Sequence, residues 1–284
     1  MSKRILVLGA SGFIGGYLVD RLKSIGHDVV GTYCMIPRSG MVHLDLLDEK
    51  SLTNFLLDMK PDLVVFLSGT KDVARCEKEP AYALDLNVQT VRNYLASCTA
   101  SELRPETIFF STDYVFDGQL GHYTAASPLG PKTVYGATNM IAERLFKEAN
   151  LPSLTLRVSA IMGRRAGFYR WLEESLLADK PIELFNNTFF TPTTIGRLCD
   201  YVEKIVNAGI QNGAAVAHLS NGYRMTRFEF GRLLAARLKK PQSLISAKKA
   251  DTDGFGFQAD LSLLPSGSAK FFENSLWNEF GEVY

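Results

Sequence analysis

The sequence predicts an α/β protein built on a doubly wound parallel sheet, with a smaller C-terminal region. Short runs of Ile, Leu and Val without polar alternation recur between longer stretches that have the apolar spacing of helices. This rhythm is typical of parallel strands covered by helices on both faces. Glycines at positions 9, 12 and 15 stand directly between the first apolar run and the first helical pattern. That placement predicts a Rossmann-type sheet.

The predicted elements alternate regularly up to residue 157. Apolar runs predict strands over residues 4–8, 28–33, 63–67, 107–110 and 153–157, and helical patterns predict helices over residues 14–25, 49–59, 81–99 and 134–149. Further helices are predicted near residues 168–178, 194–207 and 227–238, joined by loops rich in Pro, Asn, Thr and Gly. We therefore divide the chain into an NAD(P)-binding Rossmann domain at 1–159 and a smaller substrate-binding region at 160–284. Strands after Ser159 are free to return to the main sheet.

Composition narrows the classes of partner. The chain of 284 residues has 31 Lys and Arg against 30 Asp and Glu, for a formal net charge of +1. No basic block favours a nucleic acid or a membrane surface. The four cysteines form no C-x-x-C pair, and the four histidines show no metal-ligand spacing. The N-terminal apolar run is too short for a secretory signal. We expect a cytoplasmic protein with a small-molecule substrate and no metal.

The glycine loop predicts a site for a pyrophosphate. It reads Gly-Ala-Ser-Gly-Phe-Ile-Gly over residues 9–15. Gly9 permits a tight turn, Gly12 lets the backbone approach a phosphate, and Gly15 lets helix and strand pack closely. The free amides at the helix start point at the phosphates, assisted by the helix dipole. The loop therefore predicts dinucleotide binding.

Five short motifs follow one another along the chain. They are the spacing Gly-x-x-Gly-x-x-Gly, Ser-Thr-Asp-Tyr-Val-Phe-Asp-Gly at 111–118, Val-Tyr-Gly-Ala-Thr at 134–138, Leu-Arg-Val-Ser at 156–159 and His-Leu-Ser-Asn-Gly at 218–222. The chain resembles, over roughly residues 3 to 240, the extended short-chain dehydrogenase/reductase superfamily and, within it, the dTDP-4-dehydrorhamnose reductase-like family. The regulatory β subunit of methionine adenosyltransferase shares much of this pattern. Relatives are often dimeric, so a homodimer is possible here.

The resemblance implies a set of cofactor contacts. Those in the glycine loop are Gly9, Ser11, Gly12, Phe13, Ile14 and Gly15. Asp45 and Leu46 match the family's adenine-contacting pair, and Ser68 and Gly69 match small residues beside the pyrophosphate and ribose. Asn87 matches a structural asparagine of the superfamily, and Tyr135 also contacts the cofactor in relatives.

The stretch after the second predicted strand bears on which nicotinamide cofactor binds. NAD-specific folds place an acidic residue there, which hydrogen-bonds the adenosine 2′-hydroxyl. Residues 31–34 here read Gly-Thr-Tyr-Cys, and Arg38 follows. A 2′-phosphate would be accepted beside Thr32 and would pair with Arg38. NADP(H) is therefore favoured over NAD(H).

The resemblance also implies the catalytic residues. In the family a tyrosine gives a proton to a ketone oxygen, a Thr or Ser hydroxyl hydrogen-bonds that oxygen, and a lysine four residues after the tyrosine completes the site. Tyr135 and Thr112 match the first two, but the lysine position is Asn139. The lysine lowers the tyrosine pKa, which is near ~10 in model peptides. Ketone reduction uses the protonated phenol, so losing the lysine costs at most ~1.4 kcal/mol per pKa unit. A surviving activity is therefore expected to be a reductase, with Asn139 a neutral donor to the ribose.

Substrate contacts are implied at Thr112, Asp113 and Tyr114 and at the family's Pro-Thr pair, Pro192 and Thr193. The loop at 122–127 reads His-Tyr-Thr-Ala-Ala-Ser, where the family commonly has two carboxylates. Two hypotheses follow. The first is an NAD(P)H-dependent reductase of a nucleotide-linked 4-keto-6-deoxysugar. The second is a non-catalytic NADP-binding regulatory or assembly protein, which the lost lysine and carboxylates favour.

Overall fold

The computed structural model describes residues 2–149, 151–211, 213–252 and 258–266. The chain divides into two compact units. Unit 1 comprises Met1–Thr112, Thr133–Arg157 and Cys199–Ala217, and unit 2 comprises Asp113–Lys132, Val158–Leu198 and His218–Tyr284. The functional boundary between residues 159 and 160 stays a prediction. Residues 253–257 and 267–284 of its second region lie outside the described residues.

The strands and helices follow in chain order. The strands are β1 (Arg4–Leu8), β2 (Asp28–Tyr33), β3 (Val42–His43), β4 (Leu63–Phe66), β5 (Glu106–Thr112), β6 (Ser153–Val158), β7 (Ile161–Met162), β8 (Ile182–Phe185), β9 (Phe189–Phe190), β10 (Thr193–Thr194), β11 (Ala214–Leu219), β12 (Met225–Thr226) and β13 (Ile245–Lys248). The α-helices are α1 (Phe13–Ser24), α2 (Glu49–Met59), α3 (Val73–Lys78), α4 (Pro80–Leu84), α5 (Thr90–Ala100), α6 (Val134–Glu148), α7 (Gly167–Leu177), α8 (Ile195–Ala208) and α9 (Arg227–Arg237).

The main sheet has seven strands in the spatial order β11-β6-β5-β4-β1-β2-β3. The pairs β1–β2, β1–β4, β2–β3 and β4–β5 are parallel. The chain leaves β1 toward β2 on one side and returns to β4 on the other, so the strand order reverses between β1 and β4. Ligands of such sheets bind beyond the carboxyl ends of the strands at this reversal. The predicted fold class, a Rossmann-type α/β sheet, is confirmed, and β11 is a strand after Ser159 that joins the main sheet.

The predicted helix over 81–99 is wrong in its middle. The structure has α4, a π-helical turn at Asp85–Gln89, and then α5. Within it the Thr90 hydroxyl donates to the Leu86 carbonyl at 2.7 Å. The apolar spacing does not reveal a π-turn, because one wider turn leaves the amphipathic pattern of its flanks intact. The short elements β3 and α3 were also not predicted, since two and six residues carry too little periodicity.

An aromatic cluster holds α5 and α6 on the sheet in unit 1. Phe66, Tyr94, Phe109 and Phe146 belong to one buried core cluster. The Phe109 and Phe146 rings stack with centroids 4.7 Å apart, and Phe66 meets Tyr94 edge-on at 5.4 Å. The Tyr94 hydroxyl is satisfied by the Thr107 hydroxyl at 2.7 Å. The helix that carries Tyr135 is therefore anchored by close packing.

Unit 2 is built from short strand pairs and helices. β7 pairs with β10 and β8 with β13, both parallel, and β9 pairs with β12 antiparallel. No helix in the described ranges has the length and apolarity needed to cross a membrane. All four cysteines are free thiols, with Cys34 exposed and the other three buried.

Candidate functional site

The glycine loop joins β1 to α1 with little room for side chains. Gly9 has a φ of +81°, and a Cβ there would lie 2.9 Å from the backbone N of Ser68. At Gly15 a Cβ would lie 2.6 Å from Cα of Ala10. Real Cβ atoms do not approach so closely, so the fold itself requires glycine at both positions. The turn and the helix–strand approach therefore take the predicted form.

Gly12 differs from the other two loop glycines. It is exposed, and a Cβ there would meet only the carbonyl oxygen of Gly9, at 3.4 Å. Its φ of −70° and ψ of 172° are open to any residue. Among the described residues, nothing inside the protein demands glycine at this position. The space above Gly12 is therefore open to a ligand, and its predicted role at a pyrophosphate stays a prediction.

The segment after β2 places a cation beside the loop. The Arg38 guanidinium lies against Gly16 in the first turn of α1, where it would collide with any Cβ. Thr32, by contrast, is buried, and its hydroxyl lies 3.4 Å from the Gly9 amide that donates to it. Thr32 supports the glycine loop from the buried side, whereas Arg38 adds positive charge at the start of α1. Both stay predicted cofactor residues.

The π-helical turn positions Asn87 between two predicted ligand-binding segments. Asn87 is buried; its Oδ1 accepts from the Thr70 amide at 2.8 Å and its Nδ2 donates to the Thr138 hydroxyl at 3.0 Å. The first bond fixes the turn that contains Ser68 and Gly69, and the second fixes α6. Asn87 thus links the loop after β4 to the helix that carries Tyr135, and its place in a cofactor site stays a prediction.

Helix α6 begins with two satisfied backbone amides. The Thr133 hydroxyl accepts from the Gly136 amide at 3.0 Å, and a Glu77 carboxylate oxygen accepts from the Val134 amide at 2.6 Å. Carboxylates at helix starts also interact favourably with the helix dipole. Tyr135, half-buried, is the second residue of this fixed turn. Nothing in the sequence pattern singled out Glu77, because its partner is a backbone group 57 residues away.

Asn139 is turned into its own helix. It is 8% exposed, and its Nδ2 donates to the Tyr135 carbonyl at 2.8 Å. An amide nitrogen has two hydrogens, so one donor is used by this bond. A lysine ammonium on a longer stem would project a full positive charge instead. The residue four positions after Tyr135 therefore supplies no cation.

A buried ion pair fixes α6 one turn beyond Asn139. The Arg157 guanidinium of β6 donates twice to the Glu143 carboxylate, at 2.9 Å and 2.7 Å, and the Ser111 hydroxyl donates to the same carboxylate. Arg157 is 4% and Glu143 6% exposed. Ser111 immediately precedes Thr112, the last residue of β5. The network therefore holds the ends of β5 and β6 against α6 and so the backbone on which Thr112 and Tyr135 stand.

Unit 2 carries the remaining predicted substrate residues. Asp113 is buried and accepts a hydrogen bond from the Ser159 hydroxyl at 2.6 Å. Burial raises the pKa of the Tyr114 phenol, Asp113 raises it further, and Arg227 lowers it. Pro192 and Thr193 are buried, and the Thr193 hydroxyl has no hydrogen-bond partner among the described residues. These four residues stay predicted substrate contacts.

Asp45 and Leu46 follow β3, toward the predicted adenine side. Asp45 is half-buried, and its carboxylate accepts from the Leu47 amide at 2.9 Å, while Leu46 is buried in the core cluster. Within the described residues, no group of His, Cys, Asp or Glu is arranged to hold a metal ion. The predicted site residues that follow β1 and β4, or that lie on β5 and α6, all fall in unit 1.

Comparison with known proteins supplies the family. The family described as RmlD substrate binding domain matches residues 3–256. A probable low-salt glycan biosynthesis reductase of Haloferax volcanii is 28% identical over 258 residues, covering 87% of this chain and 84% of the relative. The dTDP-4-dehydrorhamnose reductase of Mycolicibacterium smegmatis is 26% identical, covering 82% and 68%. Methionine adenosyltransferase 2 subunit beta of Xenopus laevis is also 26% identical, covering 85% and 74%.

Solved structures agree with this assignment. A hypothetical dTDP-4-dehydrorhamnose reductase from Sulfolobus tokodaii superposes with a TM-score of 0.80 at 26% identity, over 92% of this chain and 91% of that one. A dTDP-4-dehydrorhamnose reductase from Bacillus anthracis, in complex with NADP, has a TM-score of 0.81 at 18% identity, over 93% and 91%. At that identity the second likeness concerns the fold alone.

Proposed function

The chain belongs to the RmlD substrate binding domain family, and from that premise we propose that it is an NADPH-dependent reductase of a nucleotide-linked 4-keto-6-deoxysugar. Tyr135 is the proton donor and Thr112 its hydroxyl partner. The observation that carries the proposal is the coincidence, in unit 1, of the glycine loop, Thr112 at the end of β5 and Tyr135 in the first turn of α6.

The cofactor assignment is supported by Gly12 and Arg38. Glycine at position 12 meets no requirement of the fold, so a phosphate lying against the helix start accounts for it. Arg38, against the first turn of α1, is placed to pair with a 2′-phosphate, and β2 ends without a carboxylate. Both features favour NADP(H) over NAD(H). The reductase from Bacillus anthracis that shares this fold is in complex with NADP in its crystal structure.

The direction of reaction follows from the protonation state that each direction needs. The reduced nicotinamide supplies a hydride when it is bound. Reduction needs a phenol that carries its proton, and a tyrosine phenol ordinarily carries that proton at neutral pH. Oxidation needs a phenolate, and Asn139 provides no positive charge to stabilise one. Tyr135 is therefore suited to give a proton to a ketone oxygen and poorly suited to remove one from an alcohol.

The test begins with titration of NADPH and NADH into the protein. Turnover is then measured as loss of NADPH absorbance across a panel of dTDP-, GDP- and UDP-linked 4-keto-6-deoxysugars. We expect tighter binding of NADPH and turnover of at least one sugar. Tyr135→Phe should lower kcat by on the order of 10²-fold or more. Tyr201→Phe, a tyrosine substitution in α8, is the matched control, and unchanged turnover in Tyr135→Phe would refute the proposed mechanism.

One observation favours a second candidate, a non-catalytic protein that binds NADP for regulation or assembly. The Asn139 side chain is buried and bonded to the Tyr135 carbonyl, so the position four residues after the tyrosine carries no charge. The methionine adenosyltransferase subunit is a relative at similar identity. Under this candidate NADPH binds but no sugar of the panel is reduced. Asn139→Lys separates the two: activity that arises only in the variant marks a degenerated enzyme.

A further inference from the structure

Arg227 is a half-buried cation with incomplete hydrogen bonding. Its guanidinium carbon lies 4.3 Å from the centroid of the Phe168 ring and 4.9 Å from that of Phe190. Its Nη1 is buried and has no hydrogen-bond partner among the described residues. Buried donors without partners are rare, because each costs the desolvation of its N–H groups.

The fold fixes Arg227 in this position. β12 pairs with β9 so that Met225 lies opposite Phe190. Thr226 then caps α9, accepting from the Glu229 amide at 3.1 Å while its own amide donates to the Glu229 carboxylate at 2.7 Å. Arg227 is the first residue of the helix. A reciprocal cap of this kind defines the helix start, so the guanidinium is held next to Phe190 by rigid backbone.

The charge of Arg227 is only partly compensated by the described residues of unit 2. Burial lowers the pKa of the Arg227 guanidinium, and Tyr114 and Asp113 raise it. No carboxylate in the described ranges forms an ion pair with it, and Asp113 is engaged by Ser159. A cation flanked by two aromatic rings is stabilised at its faces, while its N–H groups point outward in the plane of the guanidinium. That arrangement suits an incoming anion.

Arg224, three residues earlier in the same unit, forms an ion pair within the protein. Its Nε donates to the Asp260 carboxylate at 2.6 Å, and its guanidinium carbon lies 3.3 Å from the centroid of the Phe189 ring. Asp260 is buried. Arg224 therefore neutralises a carboxylate of the fold and has a structural role that Arg227 lacks.

We propose that Arg227 binds phosphate oxygens of the nucleoside diphosphate part of the substrate, beside the predicted substrate residues Asp113 and Tyr114. This assignment rests on the proposed function, whose substrate class supplies a diphosphate. Guanidinium groups match phosphate geometry through two parallel N–H···O bonds. Binding also supplies the hydrogen bond that Nη1 lacks among the described residues and brings an anion into contact with the guanidinium.

The experiment measures direct binding of dTDP and UDP, without cofactor or ketosugar, by calorimetry. Thymidine and uridine serve as probes that lack phosphate. Arg227→Met should weaken dTDP and UDP binding roughly 10- to 100-fold and leave nucleoside binding unchanged. Arg227→Lys, which keeps the charge and loses the fork, should fall between. Arg224→Met is the matched control and should keep the affinity for dTDP and UDP.

Thermal unfolding without ligand provides a second readout. Removing a largely desolvated charge that forms no ion pair among the described residues is neutral or stabilising, so Arg227→Met should keep or raise Tm. Arg224→Met should lower Tm, because it leaves Asp260 unpaired. A lowered Tm in Arg227→Met would show that the guanidinium is structural, and this would overturn the proposal.

The remaining outcomes separate this inference from the proposed function. Binding of dTDP or UDP that depends on Arg227, together with no turnover of any sugar, supports the inference and refutes the reductase. Turnover in the wild type with unchanged affinity in Arg227→Met refutes the inference and leaves the reductase standing. Failure of the wild-type protein to bind either nucleotide at millimolar concentration also refutes the inference.

Discussion

Two arginines, the buried Arg157 in unit 1 and the half-buried Arg227 in unit 2, differ in how their charge is compensated. Arg157 in unit 1 donates two hydrogen bonds to Glu143, at 2.9 Å and 2.7 Å. Arg227 in unit 2 has two aromatic rings beside it and a buried Nη1 without a partner among the described residues. The first charge is completed by the protein. Arg227 forms no ion pair with a carboxylate among the described residues. This difference separates a structural cation from the one that we assign to a ligand.

The glycine loop repeats the comparison within four residues. A Cβ at Gly15 would lie 2.6 Å from Cα of Ala10, whereas a Cβ at Gly12 would meet only the Gly9 carbonyl oxygen at 3.4 Å. The fold explains glycine at position 15 and does not explain it at position 12. In both cases the residue whose presence the fold does not explain is the one we assign to a ligand.

The largest expected effect comes from breaking the buried ion pair between Arg157 and Glu143. Arg157→Met leaves the Glu143 carboxylate buried without its counter-charge, so the free energy of unfolding should fall by about 3–5 kcal/mol. Urea denaturation followed by circular dichroism measures it. Replacing Glu143 as well, in the double variant with Met at both positions, should restore most of the loss, because no isolated charge then remains buried.

The control for this prediction is an ion pair on the same helix that faces solvent. Arg144 and Glu148 lie 2.7 Å apart with both side chains exposed, and Arg144→Met should cause no measurable change. A comparable loss in Arg144→Met and Arg157→Met would contradict the distinction between completed buried pairs and other charges.

Substituting Gly15 should lower stability, whereas substituting Gly12 should weaken NADPH binding. Gly15→Ala should lower the free energy of unfolding by about 1–3 kcal/mol, because a methyl group has no space beside Ala10. Gly12→Ala should leave stability nearly unchanged and weaken NADPH binding, because its methyl group occupies the phosphate approach. Denaturation and fluorescence titration with NADPH measure the two quantities. Equal destabilisation by both substitutions would remove the argument that Gly12 serves a ligand.

The sequence predicts the main strands and helices well, because each of them has a local pattern of apolar residues. The strand at 28–33 and the helix at 49–59 are confirmed to the residue, and helix α6 differs from its prediction only by ending at Glu148. Buried strands are continuous apolar runs, and their helices have clear caps, such as Asp48, whose carboxylate accepts from the Ser51 amide at 3.1 Å.

The sequence predicts the site less completely, because the missing parts depend on contacts distant in the chain. The residue types at Gly9, Thr112 and Tyr135 are informative through motifs. The bond between Glu77 and Val134 joins residues 57 positions apart, and the π-turn that positions Asn87 leaves no periodic signature. Arg227 looks like an ordinary helix residue in sequence. Its significance comes from the buried Nη1, which has no hydrogen-bond partner among the described residues, and only the three-dimensional structure reveals this.

The smallest expected effect tests whether Glu77, whose partner is the Val134 backbone amide, also positions the candidate catalytic residue Tyr135. Glu77→Ala removes the acceptor of the Val134 amide and should lower the free energy of unfolding by about 0.5–2 kcal/mol. It should also lower kcat more than it raises KM, because the first turn of α6 carries Tyr135 and a displaced proton donor slows the chemical step. Glu77→Gln keeps an acceptor oxygen and should recover most of both losses.

Asp72→Ala provides the matched control for Glu77. Asp72 caps α3, the same helix that carries Glu77, and accepts from the Arg75 amide at 3.0 Å. Its loss weakens α3 without touching the start of α6, so stability should fall while kcat stays near the wild-type value. An equal drop in kcat for both variants would mean that Glu77 acts only through the stability of α3. A drop confined to Glu77→Ala would show that a carboxylate completed entirely within the fold still positions the residue that meets the substrate.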